Sequence, residues 1–173
     1  MKFIFNLALY LALSATVVAQ VPFETSKDPS NGQKTLKGII SREVLQQEPE
    51  FSWMQKDISW YKPNAECLAL LPQLQDSIYF IVFAGTWCED SHNVIPQLFK
   101  LLDQAKIPMS HVSIVGVDRQ KKTLGNLSEA LGIAHAPTIL VMKKGKEVGR
   151  IVEYGKYGIY DKELAEILQA AKK

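Results

Sequence analysis

The chain has 173 residues, 47% of them hydrophobic and 22% charged, with 20 Lys and Arg against 18 Asp and Glu. Without Lys2, which sits in a leader-like segment, 20 − 1 = 19 basic residues face 18 acidic ones, so no broad field attracts nucleic acid or anionic lipid. Two cysteines, Cys67 and Cys88, are too few for a disulfide scaffold, and His92, His111 and His135 are scattered without the spacing of a structural zinc site; no metal and no cofactor is expected.

Residues 1–19 carry the three parts of a secretory signal: Lys2, an apolar stretch from Phe3 to Val18, and a small Ala19. The stretch is interrupted by Asn6 and falls short of the roughly 20 apolar residues of a membrane span. Cleavage would start the mature chain near Gln20, where no cysteine waits for a lipid. The expected product is exported, periplasmic or extracellular, and free of the membrane once cleaved; an uncleaved anchor is the competing reading. The remainder, about 150 residues, suits a single domain.

Residues 20–62 read as an N-terminal extension. Val21 to Gly38 is rich in turn formers, among them Asp28, Pro29, Asn31 and Gly32, and predicts an extended or mobile lead-in. Ser41 can cap a short helix through Gln47. The next segment, about Pro49 to Tyr61, holds Phe51, Trp53, Met54, Trp60 and Tyr61; a core-filling role is the ordinary reading and an aromatic ligand site the other.

From residue 63 to 173 the pattern alternates strand and helix. Asn64 caps a helix whose Leu68, Leu71 and Leu74 recur at helical spacing and whose first turn holds Cys67. The run Ile78 to Ala84 predicts a strand buried on both faces. After Gly85, a helix from about Ser91 to Ala105 has Val94, Ile95, Leu98, Leu101 and Leu102 on one side, so Cys88 lies where strand turns into helix. A strand over His111–Asp118 and a short helix near Leu124–Leu131 follow. Thr138–Met142 and Glu147–Glu153 form an antiparallel pair across Lys143-Lys144-Gly145-Lys146, and Asp161 is placed to cap a last helix bearing Leu164, Ile167 and Leu168. The basic clusters at Arg119–Lys122 and Lys143–Lys146 read as solvated turns.

The run Thr86-Trp87-Cys88-Glu89-Asp90-Ser91-His92 after a buried strand, and Ala136-Pro137-Thr138 before a hairpin, resemble the thioredoxin superfamily over roughly Pro63 to Ala171. Gly85, Trp87, Cys88, Asp90 and Ser91 are most similar to exported bacterial thioredoxin-like proteins with a Gly-x-Trp-Cys-x-Asp-Ser/Thr sequence. The resemblance implies an α/β fold, a three-layer sandwich with a mixed central sheet flanked by helices and preceded by the helical extension. It also implies thiol–disulfide exchange, reductase- or isomerase-like, with a thiol- or disulfide-containing protein or peptide and an external thiol or reductase as partners. A cis peptide before Pro137 is implied opposite Cys88, with Trp87, Ala136, Pro137 and Thr138 holding substrate.

A cysteine at a helix N-terminus is the natural nucleophile, since the helix end stabilises its thiolate. Glu89 and Asp90 oppose that stabilisation, and His92, if protonated and close, would restore it. Two family features are missing. Ser91 stands where dithiol members carry the second, resolving cysteine, and Val82 where they carry a buried aspartate. Ser91 cannot resolve a mixed disulfide, but its hydroxyl can donate to the sulfur, so a one-cysteine cycle is expected with an external thiol resolving. Cys67 is a candidate resolving thiol if it lies at the same sheet edge; a buried free cysteine is the alternative. A non-enzymatic peptide-binding adaptor or chaperone competes with the exchange reading, and single-cysteine glutaredoxin-type chemistry shares only the Cys-x-x-Ser spacing.

Overall fold

The computed structural model describes residues 22–172; the leader expected over residues 1–19 lies outside them. A six-stranded mixed sheet runs in the order β1-β2-β4-β3-β5-β6. Its strands are β1 (Phe23–Lys27), β2 (Lys34–Ile40), β3 (Ile78–Ala84), β4 (Val112–Gly116), β5 (Thr138–Lys143) and β6 (Lys146–Val152). The helices are α1 (Arg42–Gln47), α2 (Ala65–Leu74), α3 (Glu89–Gln104), α4 (Leu127–Ala130) and α5 (Tyr160–Ala171), with a 3-10 segment over Pro49–Gln55. None of the described helices is long and apolar enough to cross a membrane.

β3 holds the centre because it is apolar on both faces. It pairs in parallel with β4, from Phe80 opposite Val112 to Ala84 opposite Gly116, and antiparallel with β5, Phe83 facing Thr138. Side chains alternate across a strand. Phe80, Val82 and Ala84 join Ile114, Ile139 and Val141 in a large cluster with residues of α1, α2, α3, α5 and the Pro49–Gln55 turn. Phe83 joins Val115, Leu140 and Ile133 on the other face, under Leu127 and Leu131 at α4. The helical layers are therefore unequal, one deep and one thin.

α3 carries Pro96 in its interior, a residue that removes a ladder bond and costs about 3 kcal/mol. Val94, Ile95, Leu98, Leu101 and Leu102 are all fully buried, and burying each is worth roughly 1.5–3 kcal/mol, so packing outweighs the interruption. At the N-terminus of α1 the Ser41 hydroxyl accepts from Val44 N, and Asn64 accepts from the N–H groups of Glu66 and Cys67 to start α2, as the capping residues predict.

Two expectations are overturned. Val21–Gly38 is not a loose lead-in: β1 and β2 form an antiparallel hairpin, and β2 joins β4 with Gly38 opposite Gly116. A Cβ at Gly116 would lie 2.2 Å from the Leu36 carbonyl oxygen, so the close approach of these backbones requires glycine there. The hairpin turn is held by the Asp28 carboxylate, which accepts from Ser30 N (2.9 Å) and Asn31 N (3.0 Å). Asp161, in turn, does not cap α5. Ile159 occupies the cap position, while the buried Asp161 carboxylate accepts from the Tyr61 hydroxyl (2.7 Å) and Asn64 N (2.9 Å), tying the extension to α5.

Candidate functional site

The chain leaves β3 at Ala84, turns through Gly85-Thr86-Trp87, and enters α3 with Cys88 as its N-cap residue. Cys88 N donates to Gly85 O (2.9 Å) and Cys88 O accepts from His92 N (3.0 Å), so the turn and the first helical residue are one hydrogen-bonded unit. Thr86 is buried and pins this unit to β2: its hydroxyl donates to Lys34 O (2.8 Å) and accepts from Leu36 N (3.1 Å). A Cβ at Gly85 would stand 2.7 Å from Trp87 Cε2, so the indole folds back over a position only glycine leaves free.

Trp87 is buried, and its Nε1 donates to Val117 O (2.8 Å). The Arg119 guanidinium lies 4.7 Å from its ring centroid and Lys121 Nζ 5.6 Å. Arg119 Nε donates to the buried Asp28 carboxylate (2.6 Å), and Asn31 Nδ2 donates to the Trp87 carbonyl (3.4 Å). Burial alone would raise the Asp28 pKa; the Arg119 bond and the N–H groups of Ser30 and Asn31 outweigh it and hold the carboxyl below the usual carboxylate range. The Arg119–Lys122 segment is thus not simply a solvated turn.

Cys88 is half-buried, and its thiol donates to Ala136 O (3.2 Å), immediately before the cis bond between Ala136 and Pro137. Pro137 O accepts from Glu153 N (2.7 Å), which places the loop after β6 beside the same turn. Thr138 is buried within β5, between Phe83 of β3 and Val152 of β6, and its hydroxyl donates to His135 O (2.8 Å). Cys88, Ala136 and Pro137 are therefore brought together, while Thr138 is committed to the sheet and Trp87 to its own packing.

The remaining expected residues depart from the sequence reading. Ser91 is fully buried, and among the described residues its hydroxyl has one hydrogen bond, accepted from Gly85 N (3.1 Å), and none to the Cys88 sulfur. The serine secures the turn instead of donating to the thiol. His92 is stacked on Trp53, with ring centroids 4.5 Å apart, and its Nε2 donates to Thr86 O (2.8 Å). Burial lowers its pKa, the Thr86 carbonyl opposing and Lys56 assisting. The ring is neutral at neutral pH, so His92 supplies no positive charge to Cys88. Glu89 and Asp90 lie in the first turn of α3 and have no ion-pair partner among the described residues.

The two cysteines are both free thiols and are not brought together. Cys67 is fully buried, and its thiol donates to Asp161 O (3.1 Å). Burial, with the Asp161 and Glu66 charges adding, pushes its pKa up to about 12. A buried thiol held protonated in this way does not supply a resolving thiolate.

Residues 44–172 match the thioredoxin family model, more than half of the chain. The chain belongs to the thioredoxin family. Thioredoxin-1 of Saccharomyces cerevisiae is 30% identical over 78 residues, covering 45% of this chain and 70% of that protein. Thioredoxin O2 of Arabidopsis thaliana, solved in its oxidised state, aligns at 22% identity over 65% of this chain and 92% of its own, with a TM-score of 0.39. A protein of unknown function from Pseudomonas aeruginosa aligns at 16% identity over 75% of this chain and 84% of its own, with a TM-score of 0.48. Thioredoxin-family membership supports redox thiol–disulfide chemistry in general terms.

Sequence reasoning missed several groups around this thioredoxin-family site. Asp28, Asn31 and Arg119 fix Trp87, yet they sit in two polar turns separated by more than 80 residues, with nothing local to couple them. Tyr154 was also missed. Its hydroxyl accepts from Asn93 Nδ2 (3.1 Å); burial raises its pKa, the Asn93 bond opposes, and the Asp90 carboxylate adds to the rise through hydrogen bonding and charge. Its spacing from Pro137 was the one available signal, because an aromatic just after a strand that pairs beside the proline turn lands next to that turn.

Proposed function

We propose that this protein exchanges thiols and disulfides through Cys88 alone, as a reductase- or isomerase-like activity on exported proteins or small thiols. The observation that carries the reading is the half-exposed Cys88 sulfur at the N-cap of α3, 3.2 Å from the carbonyl next to cis-Pro137. The thiolate is the species that attacks. In the first step Cys88 Sγ attacks one sulfur of a disulfide, forming a mixed disulfide and releasing the other half as a thiolate, which takes a proton from solvent. In the second, an external thiolate attacks the substrate sulfur of the mixed disulfide, forms a new disulfide with it and returns Cys88 as a thiolate. Each step makes one S–S bond and breaks one, so the protein itself is neither oxidised nor reduced over the cycle.

Ser91 and Cys67 support the external resolution, since the first lacks sulfur and the second is buried in the core. Export to a periplasmic or extracellular space belongs to the same proposal and rests on the composition of residues 1–19. The adaptor reading draws on the same missing second thiol, and it separates cleanly. Reaction of wild type and Cys88→Ala with a peptide disulfide carrying a chromophoric leaving thiol is the test: release by wild type alone supports exchange, and equal partner capture by both proteins supports the adaptor.

A further inference from the structure

A cleft of about 340 Å³ lies between the extension and the loop leading into α5, lined by Trp60, Tyr61, Gln97, Tyr154, Ile159 and Tyr160 among others. Its rim is unusually apolar for a free surface: Trp60 is 68% exposed, Ile159 57% and, on the adjoining loop, Tyr157 42%. It is linked to the candidate site through α3 and the loop after β6. Asp90, Asn93 and Gln97 of α3 are spaced by three and four residues and so share one helix face. Asn93 bonds the hydroxyl of Tyr154, whose ring forms the near wall of the cleft, and the preceding Glu153 is bonded to Pro137. At the Cys88 end of this path stand Glu89 and Asp90, neither with an ion-pair partner among the described residues, and at its far end the exposed Trp60 and Ile159 stand beside Lys62, so the path is acidic near the sulfur and mainly apolar at its far end.

Resting on the exchange reading above, we propose that the substrate is a cysteine-bearing peptide with a basic residue beside its cysteine and a bulky apolar side chain two to four residues away, seated in the Trp60–Ile159 cleft. Charge complementarity to Glu89 and Asp90 selects the basic neighbour. The spacing follows from the helix: the cleft is level with Asn93 to Gln97, five to nine residues beyond Cys88, which is roughly 7–13 Å at 1.5 Å per residue. An extended peptide advances about 3.3 Å per residue, so the same distance spans two to four of its residues. Trp60 and Ile159 act here as specificity-determining residues and take no part in the sulfur chemistry.

The test uses paired synthetic disulfides, each a Lys-Cys peptide bonded to the same chromophoric thiol, with Phe or Ala three residues from the cysteine. Wild type is expected to react at least about tenfold faster with the Phe peptide, as partial emptying of an apolar pocket predicts. That ratio is expected to collapse towards one in both Trp60→Ala and Ile159→Ser, each altering an exposed side chain. An equal rate for the two peptides in wild type, or a Phe preference that survives both variants, overturns the proposal. If Cys88 reacts with no disulfide, the exchange reading has failed, and the cleft is then judged alone: calorimetric titration of Cys88→Ala with the two peptides carrying Ser for Cys must show about tenfold tighter binding of the Phe peptide, and equal binding refutes the cleft.

Discussion

Replacing Gly85 with alanine places a methyl group 2.7 Å from Cε2, 2.9 Å from Cζ2 and 3.0 Å from Nε1 of Trp87. The indole is buried and cannot yield without moving off its bond to Val117 O and out from under Arg119. Overpacking of this kind costs about 1–3 kcal/mol. Loss of the Val117 bond adds about 1 kcal/mol. Against this, alanine lowers the entropy of the unfolded chain and returns about 0.4–1 kcal/mol. The net expectation is about 2 kcal/mol of destabilisation, near a 30-fold change in the unfolding equilibrium constant. Because Gly85 O also receives Cys88 N and Gly85 N is bonded to Ser91, the same change displaces the sulfur, and slower alkylation of Cys88 is expected alongside the lost stability. Urea unfolding followed by tryptophan fluorescence measures the first effect and iodoacetamide kinetics the second. A midpoint and an alkylation rate both equal to wild type would refute the packing argument.

Other expectations follow from the same geometry. Ser91→Cys supplies the missing second sulfur on the first turn of α3, so mild oxidation is expected to leave one titratable thiol, Cys67, and three remaining thiols would contradict that placement. Cys67→Ala is expected to leave the Cys88 exchange rate unchanged while lowering stability, since the side chain is fully buried; a loss of exchange at unchanged stability would restore Cys67 as the resolving group. His92 has a folded pKa below its unfolded value, so its stability contribution is complete above about pH 6.5 and is lost as pH falls through the lower folded pKa. Urea midpoints should accordingly fall between pH 7.5 and 5 in wild type and fall less in His92→Gln, with identical slopes counting against a buried neutral ring.

The order of elements from α2 to α5 was legible because each element declares its period: Ile78–Ala84 is apolar at every position, and α3 repeats its apolar residues every three or four. The placement of Cys88 at a helix start was legible for the same reason. The N-terminal hairpin was not, because Leu36 and Ile40 are too few to signal a strand and β2 gains its burial from β4, more than 70 residues away. Asp161 was misread since an acidic residue ahead of an apolar stripe satisfies the local rule for a cap, while its true partners, Tyr61 and Asn64, lie about 100 residues earlier. His92 and Ser91 show the corresponding limit inside the site. Their positions one turn into α3 are set by spacing, but which atoms they bond is set by Trp53, Thr86 and Gly85, and helical spacing alone does not choose among those.

Mass spectrometry of the intact protein after reaction with a peptide disulfide tests the central claim most directly. A single mixed-disulfide adduct mapping to Cys88, persistent until an external thiol is added and absent from Cys88→Ala, is the predicted result. An adduct on Cys67, or none on Cys88 at any pH at which the fold is intact, would contradict the assignment of Cys88 as the nucleophile.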